Sequence, residues 1–244
     1  MLFSHRKTAA ELNEIKDRVI GFLKNNPTER QAVNFILKEY EQRGLKTELK
    51  PKVIVSYGKS TAEIHHFPKN IKLKKGPIML DIWAKHKKGW FVDLTWMLYK
   101  GKPDKKFLKD FNMLVRARNL ALNFINRCLK SKYLPTYFEI DAIARSYLAK
   151  QRAGYAFQHK IGHKLGKKVH AGNKREYYER LKLNMPYTIE PGLYFKYAQK
   201  SSKFLAHQKP KVSKCYGIRL ENNFWIDEKF KLHTKNIQNK LILI

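Results

Sequence analysis

Among the residues of this chain whose side chains commonly bind metal ions, five stand out because each lies in a short apolar or glycine-rich segment. The set comprises Asp81, Asp93, His163, Glu190 and Glu221. The chain has 20 acidic residues against 51 basic ones. Four carboxylates within apolar, strand-like runs are therefore more than this low acidic content would place there by chance. Four carboxylates and one imidazole suit a pair of divalent cations with bridging oxygen atoms between them. The residue types therefore predict a two-metal hydrolase.

The two aspartates are predicted to lie on adjacent strands of one β-hairpin. They flank the polar turn KHKKG, which would bring them within reach of common ions. Asp81 follows three apolar residues, and Asp93 lies between Val92 and Leu94. A carboxylate in such surroundings is costly unless a cation compensates it. The alternative is that each aspartate caps the turn or pairs with a lysine, and the apolar setting favours metal binding instead.

The histidines form a weaker pattern. His159 and His163 are four positions apart, and His170 follows seven positions after His163. Glycines at 162 and 166 predict a loop rather than a helix, which leaves space for a metal and a substrate. The spacing lacks the nearby glutamate of the HExxH zinc proteases. Surface histidines are the ordinary alternative, and the pattern gains meaning only together with the carboxylates.

The two glutamates lie in predicted strands of the second half of the chain. Glu190 precedes Pro191 and Gly192 at the end of an apolar and aromatic run, and Glu221 alternates with apolar residues. Taken singly, each has the pattern of an exposed strand glutamate. Taken together, they match the two aspartates of the first half, which favours a shared site.

Two segments, about 7–44 and 107–154, resemble each other and predict a duplicated helix–helix unit. In each, an amphipathic helix precedes a second helix that begins with Pro-Thr, in a capping-box arrangement, and ends near a glycine suited to a left-handed C-cap. The paired residues are Thr28 with Gln31 and Thr136 with Glu139, and the closing glycines are Gly44 and Gly154.

Strand-like runs follow each predicted helix pair, so the order is helices, strands, helices, strands. This order predicts an α+β fold in which two halves, about 7–100 and 105–230, share an antiparallel sheet. No linker divides the chain, and we predict a single domain over residues 1–244. The polar, proline-containing segment 198–215 is predicted to be a loop.

The formal net charge of +31 has two interpretations. One is contact with RNA, the ribosome or an acidic membrane surface. The other is a generally lysine-rich composition that gives a solvated basic surface. The lysines are dispersed along the chain, which favours this second interpretation. No apolar run approaches the roughly 20 residues that cross a bilayer. With two cysteines and no apolar signal-peptide core, we expect a cytoplasmic protein without disulfides.

The ordered set Asp, Asp, His, Glu, Glu, in these settings, resembles the pita-bread metallopeptidases over about residues 7–228. That superfamily includes methionine aminopeptidase, Xaa-Pro aminopeptidase, prolidase and creatinase. The resemblance implies a pita-bread fold with a curved antiparallel sheet and two divalent ions, which manganese, cobalt, iron or zinc would suit. It also implies that Asp81 binds one metal, that Asp93 and Glu221 bridge both, and that His163 and Glu190 complete the other metal's shell.

The resemblance extends to residues that would act on a peptide substrate. Glu190 is expected to serve as general base. His65 and His170 are expected to contact the substrate and to assist in stabilising the oxyanion. His159 matches the first histidine of the HxxxH pattern in the Xaa-Pro group and is expected to bind substrate.

Smaller features are similar to the Xaa-Pro aminopeptidase and prolidase branch, notably Arg219 and the run that follows Glu190. Arg219 is expected to bind a carboxylate or carbonyl oxygen of the substrate, or alternatively to pair with a metal ligand. Three features depart from that branch. The interval from Asp81 to Asp93 is one residue longer, and Trp96 replaces a common arginine. We also expect no further domain ahead of the catalytic one, unlike in that branch.

The expected function is hydrolysis of the N-terminal peptide bond of a peptide substrate by a dinuclear-metal aminopeptidase of Xaa-Pro type. One alternative is a methionine aminopeptidase whose basic surface favours the ribosome. Another is a noncatalytic protein on the same fold that binds RNA or the ribosome. The presence of all five metal-type residues argues against that last alternative, and the sequence does not decide the oligomeric state.

Overall fold

Helices and strands follow one another along the chain in the predicted order. The computed structural model describes residues 2–72, 74–196, 215–235 and 237–244, so the loop predicted over 198–215 lies almost wholly outside the described residues. The helices are α1 (Leu2–Leu23), α2 (Glu29–Gln42), α3 (Lys105–Lys130) and α4 (Tyr137–Lys150). The strands are β1 (Leu45–Lys46), β2 (Ile54–Tyr57), β3 (Gly76–His86), β4 (Val92–Lys100), β5 (Tyr187–Ile189), β6 (Gly192–Phe195), β7 (Tyr216–Arg219), β8 (Asn222–Ile226), β9 (Leu232–Thr234) and β10 (Ile242–Leu243).

Both predicted capping boxes are confirmed. At the start of α2, the Gln31 amide donates to the Thr28 hydroxyl at 3.2 Å, and the Thr28 amide donates to the Gln31 side chain at 2.8 Å. At the start of α4, Thr136 and Glu139 make the same two bonds at 3.2 and 2.7 Å. Because free N–H groups at a helix start need acceptors, these residues fix where each second helix begins.

The helix ends match the prediction in the first half only. Gly44 has φ of +63°, as a left-handed C-terminal residue requires. The same prediction for Gly154 is wrong, because α4 ends at Lys150 and Arg152 takes the left-handed conformation with φ of 57°. Gly154 has a different role: a Cβ there would lie 3.2 Å from the Cα of Ala149, so the position allows a close backbone approach.

The β3–β4 hairpin is the centre of the larger sheet. Strands β1 and β2 pair with β3 antiparallel, whereas β10 pairs with β4 parallel. The second half supplies the groups β5–β8–β9 and β6–β7, which are antiparallel throughout. The two halves meet where Thr95 and Glu221 form an antiparallel bridge. The predicted shared sheet therefore consists of three strand groups in the described part of the chain.

Residues of the hairpin alternate between two apolar layers. Even-numbered residues such as Leu80 pack with α1 and α2. Odd-numbered residues such as Met79 and Met97 pack in the layer formed with α3, α4 and the strands of the second half. Because successive strand side chains point to opposite faces, Asp81 and Asp93 share the face that meets the second half. Among the described residues, no helix combines the length and apolar character needed to span a bilayer.

Acid sensitivity is expected from His5, which is buried in α1 and packs edge-on against Trp225 with ring centroids 6.3 Å apart. Burial lowers the pKa of His5 from 6.5 to about 4, because Asn223, which raises the pKa, does not offset the loss of solvent. The unfolded chain therefore binds the proton first. The contribution of neutral His5 to stability is complete above pH 6.5. As pH falls toward 4, protonation in the unfolded chain lowers the free energy of unfolding by about 2–3 kcal/mol.

His5→Phe keeps an aromatic ring against Trp225 and removes the titrating group. Between pH 7 and pH 4.5, the free energy of unfolding in urea should fall less for this variant than for the wild-type chain. Equal losses in the two proteins would contradict the role given to His5.

Candidate functional site

All five predicted metal-type residues line one pocket, which has about 420 Å³ of empty volume. The pocket lies between the inner face of the β3–β4 hairpin and the strands of the second half. The predicted site residues on its wall are Asp81, Asp93, His163, Glu190 and Glu221, together with His65, His170 and Arg219. Side chains from distant parts of the chain therefore converge at one place.

The hairpin positions the two aspartates through its register. Asp81 lies opposite Thr95, and Asp93 lies opposite Trp83, so the two aspartates are diagonal neighbours on one face. Side chains at such diagonal positions lie within mutual reach of an ion. Both aspartates are buried. The paired register is regular from Gly76 opposite Lys100 to Ala84 opposite Val92, and the turn lies beyond it.

Glu221 lies between β7 and β8 and is fixed to the hairpin by Thr95. Its amide donates to the Thr95 carbonyl at 3.2 Å, and the Thr95 hydroxyl donates to Glu221 Oε2 at 2.8 Å. Asn223 bonds to the backbone of Asp93 in both directions, at 3.1 and 2.6 Å. These bonds hold Glu221 beside Asp93.

His163 and Glu190 are positioned by backbone bonds between β5 and the irregular segment before it. The His163 amide donates to the Thr188 hydroxyl at 2.9 Å, and the Glu190 amide donates to the Ile161 carbonyl at 2.7 Å. The Nε2 atom of His163 lies 3.4 Å from Glu190 Oε1 and 3.7 Å from Asp93 Oδ2. The loop predicted around His163 therefore brings its imidazole among the carboxylates.

The donor set fits a metal ion. Asp93, His163 and Glu221 each offer a ligand atom, and these atoms lie within 4.8 Å of one another. Two oxygens of the set, Asp93 Oδ1 and Glu221 Oε1, are buried without a hydrogen-bond partner among the described residues. A buried polar atom without a partner is costly, and a cation would satisfy both oxygens.

Burial and mutual repulsion shift the ionisation of these groups. Burial raises the pKa of Asp93 and of Glu221 well above the ordinary range, and neighbouring carboxylates add to the rise. Burial raises the pKa of Glu190 to about 8. Burial also lowers the pKa of His163 to about 3, so its imidazole is neutral and able to act as a ligand. Protons compete with cations for this pocket.

Arg219 lies at the end of β7 with its guanidinium on the pocket wall. The guanidinium pairs with Asp81 and donates to the hydroxyls of Thr95 and Tyr194, at 3.2 Å in each case, and to the Ile64 carbonyl at 3.3 Å. Burial alone would lower the Arg219 pKa, but the Asp81 charge raises it. Of the two roles predicted for Arg219, the structure shows the pairing with a metal-type residue, Asp81. Contact of Arg219 with a substrate stays a prediction.

The other three predicted histidines differ in position. His65 and His170 line the pocket and are exposed, and His170 packs edge-on against His163 with ring centroids 4.3 Å apart. His159 is not on the pocket wall. Its Nε2 atom lies 3.0 Å from the Tyr194 hydroxyl, the same hydroxyl that accepts from the guanidinium. A role of His159 in the pocket would therefore pass through Tyr194.

Sequence reasoning missed two residues that organise the site, Thr95 and Tyr194. A signal for Thr95 was present, because it lies two positions after Asp93 in β4, and even spacing along a strand places side chains on one face. Tyr194 lies in β6 whereas Glu190 precedes that strand, so alternation gave no signal for Tyr194. Their partners were not predictable, since those partners come from separate segments that only the folded chain brings together.

A family model described as metallopeptidase family M24 matches residues 4–228 of the chain. Uncharacterized peptidases of Staphylococcus aureus and Staphylococcus epidermidis are each 28% identical to it. The first match covers 78% of this chain and 52% of the relative, and the second covers 91% and 57%. The chain thus spans about half the length of the curated relatives it matches.

Solved structures are similar over the whole chain. The X-Pro aminopeptidase from Thermotoga maritima superposes with a TM-score of 0.81 at 19% identity, covering 100% of this chain and 63% of that one. The prolidase from Thermococcus sibiricus gives a TM-score of 0.80 at 25% identity, covering 100% and 60%. This likeness confirms the pita-bread fold that the sequence resemblance implied.

Divalent metal is expected to stabilise the folded chain through the pocket. Mn²⁺ at about 100 times its dissociation constant should add about 2.7 kcal/mol and raise the unfolding midpoint by about 5–10 °C. Glu221→Gln should remove most of this shift, because the amide loses the charge that attracts the cation. Differential scanning fluorimetry with and without Mn²⁺ measures this shift of the unfolding midpoint.

Asp141→Asn is the matched control, because Asp141 is a buried carboxylate that pairs with Arg145 outside the pocket. This variant should keep the metal-induced shift relative to its own metal-free midpoint. A full shift in Glu221→Gln would show that the cation binds elsewhere.

Proposed function

The chain belongs to metallopeptidase family M24, and on that premise we propose that it is a dinuclear-metal aminopeptidase that hydrolyses N-terminal peptide bonds, preferentially before proline. The convergence of four carboxylates and one imidazole on one pocket carries this proposal. The described likeness to an X-Pro aminopeptidase and to a prolidase supports the substrate class.

The pocket supplies ligands for two cations. Asp81, Asp93, His163, Glu190 and Glu221 would hold the cations. Manganese, cobalt, iron and zinc all suit carboxylate and imidazole donors. Bound cations of this kind polarise the scissile carbonyl and make water more acidic. Everything else in the reaction falls to the side chains of the chain itself.

Glu190 is proposed to move the proton during hydrolysis. The water oxygen forms a bond to the carbonyl carbon, and the carbon–nitrogen bond of the peptide breaks. Glu190 takes a proton from the water and returns it to the departing amine nitrogen.

The exposed histidines of the pocket are proposed to face the peptide. His65 and His170 line the pocket from different segments, so they are able to approach the substrate from two sides. A donor directed at the carbonyl oxygen stabilises the negative charge that develops there. Arg219 pairs with Asp81 and places a positive charge on the pocket wall.

A peptide panel tests the proposed specificity. The chain reconstituted with Mn²⁺ should release the first residue from Xaa-Pro dipeptides and tripeptides, as liquid chromatography would detect. Faster release of methionine from Met-Ala peptides, with Xaa-Pro peptides intact, would favour the methionine aminopeptidase alternative. Salt-dependent RNA binding, without hydrolysis of any peptide, would favour the noncatalytic alternative.

Substitutions at two pocket residues test the mechanism. Glu190→Gln and His163→Ala should each lower kcat/KM by about 10²–10⁴-fold, because the first removes the proton acceptor and the second removes a ligand. The far-UV circular dichroism of both variants should match that of the wild-type chain.

Glu176→Gln is the matched control for the change at Glu190. Glu176 lies outside the pocket, where it pairs with Lys164 at 3.5 Å. Its substitution should leave kcat/KM within a few-fold of wild type. Full activity in Glu190→Gln would remove Glu190 from the mechanism.

A further inference from the structure

His66 is fully buried and lies between two carboxylates, outside the metal pocket. Its Nε2 atom lies 2.7 Å from Glu29 Oε2, and its Nδ1 atom lies 2.8 Å from Glu63 Oε2. A protonated imidazole donates to both oxygens, and hydrogen bonds between ionised groups are the stronger class. His66 and Glu29 are buried, whereas Glu63 is exposed. A hydrogen bond between two buried, satisfied groups is rigid. We refer to these three residues as the Glu29–His66–Glu63 cluster.

Glu29 ties together three parts of the chain. Its carboxylate accepts from the Tyr57 amide at 2.8 Å, from the Lys69 amide at 2.7 Å and from His66. Tyr57 and Lys69 flank residues 58–68, the part of the connection between β2 and β3 that contains His65. Glu29 is also the first residue of α2, where the helix dipole favours a negative charge. One buried carboxylate therefore fixes both ends of this segment.

The same segment delivers His65 to the metal pocket. His66 points into the protein interior, whereas its neighbour His65 is exposed and lines the pocket. On the other side of His65, the Ile64 carbonyl accepts from Arg219 at 3.3 Å. The His65 imidazole makes no hydrogen bond of its own to any residue that the structure describes. Its position therefore depends on the backbone held by its two neighbours.

We propose that Glu29 and His66 are positioning residues, which hold the backbone of His65 so that its imidazole faces the metal pocket. This inference rests on the proposed function, because His65 is given a role only in that reaction. Neither Glu29 nor His66 lines the pocket, so both act on the substrate only through His65. Through Glu29 at the start of α2, the first helix pair thereby helps to determine where the His65 imidazole lies.

Matched variants of two buried glutamates in α2 test this assignment. Glu29→Gln weakens the cluster, whereas Glu39→Gln removes a carboxylate that pairs with Arg18 and Arg43 instead. Each change is made with His65 intact and again together with His65→Ala. The kcat/KM of all the variants is then measured on the best Xaa-Pro peptide, which completes two double-mutant cycles.

Glu29→Gln should lower kcat/KM by about 10–100-fold when His65 is present, since a small displacement of a catalytic group is costly. In the His65→Ala background the same change should have little further effect. Glu39→Gln should act equally in both backgrounds. An equal effect of Glu29→Gln in both backgrounds would overturn the proposal, because the loss would then not pass through His65.

A second measurement needs no peptide and is therefore independent of the proposed function. Amide hydrogen exchange over residues 58–69 and the ¹H–¹⁵N signals of the His65 imidazole are recorded for each protein. Glu29→Gln should speed this exchange and shift the His65 signals, and Glu39→Gln should change neither. If Glu29→Gln fails to fold, His66→Gln takes its place in both experiments.

The outcomes separate the two ideas. If the wild-type chain cleaves no peptide, the proposed function fails, and the exchange and the imidazole signals still decide whether Glu29 and His66 hold His65. Unchanged exchange and unchanged His65 signals in the variant overturn the positioning role, whatever the peptide panel gives.

Discussion

Mutual repulsion among four buried carboxylates is the constraint on which this structure depends. Asp81, Asp93, Glu190 and Glu221 face one pocket, and among the described residues only Asp81 is paired there with an arginine. Removing such groups from water is costly, and placing like charges together adds to the cost. The surrounding strands must therefore be rigid enough to hold the carboxylates until cations or protons neutralise them. The backbone and side-chain bonds of Thr95 and Asn223 meet this need by fastening the two halves of the fold at the site.

The two halves contribute in different ways. The first half supplies a regular hairpin, whose alternation places both aspartates on one face while the opposite face packs on α1 and α2. The second half supplies an irregular segment around His163 and short strands that flank the glutamates. A regular element delivers ligands by periodicity, whereas an irregular one delivers them through specific bonds, such as that from the His163 amide to Thr188.

Much of this arrangement was predictable from local sequence. Capping boxes and strand alternation act over a few residues, so Thr28, Thr136 and the aspartate hairpin followed from short-range rules. The wrong prediction for Gly154 also has a local cause. The left-handed residue after α4 is Arg152, which lies two positions before Gly154. Pairing of Arg219 with a metal-type residue was one of the predicted alternatives, but its partner Asp81 was not predicted. The burial of His66 beside Glu29 was beyond reach, because it joins residues far apart in sequence.

The order of the ligands along the chain has a consequence for how the site first forms. The acidic groups and the imidazole begin at position 81 and end at position 221 of 244. During synthesis, a nascent chain exposes the aspartate hairpin long before Glu221 leaves the ribosome. A pocket with all five residues therefore forms only after Glu221 has emerged. In the interval, the half-built site carries uncompensated negative charge, which favours temporary association with cations or with basic side chains of the same chain.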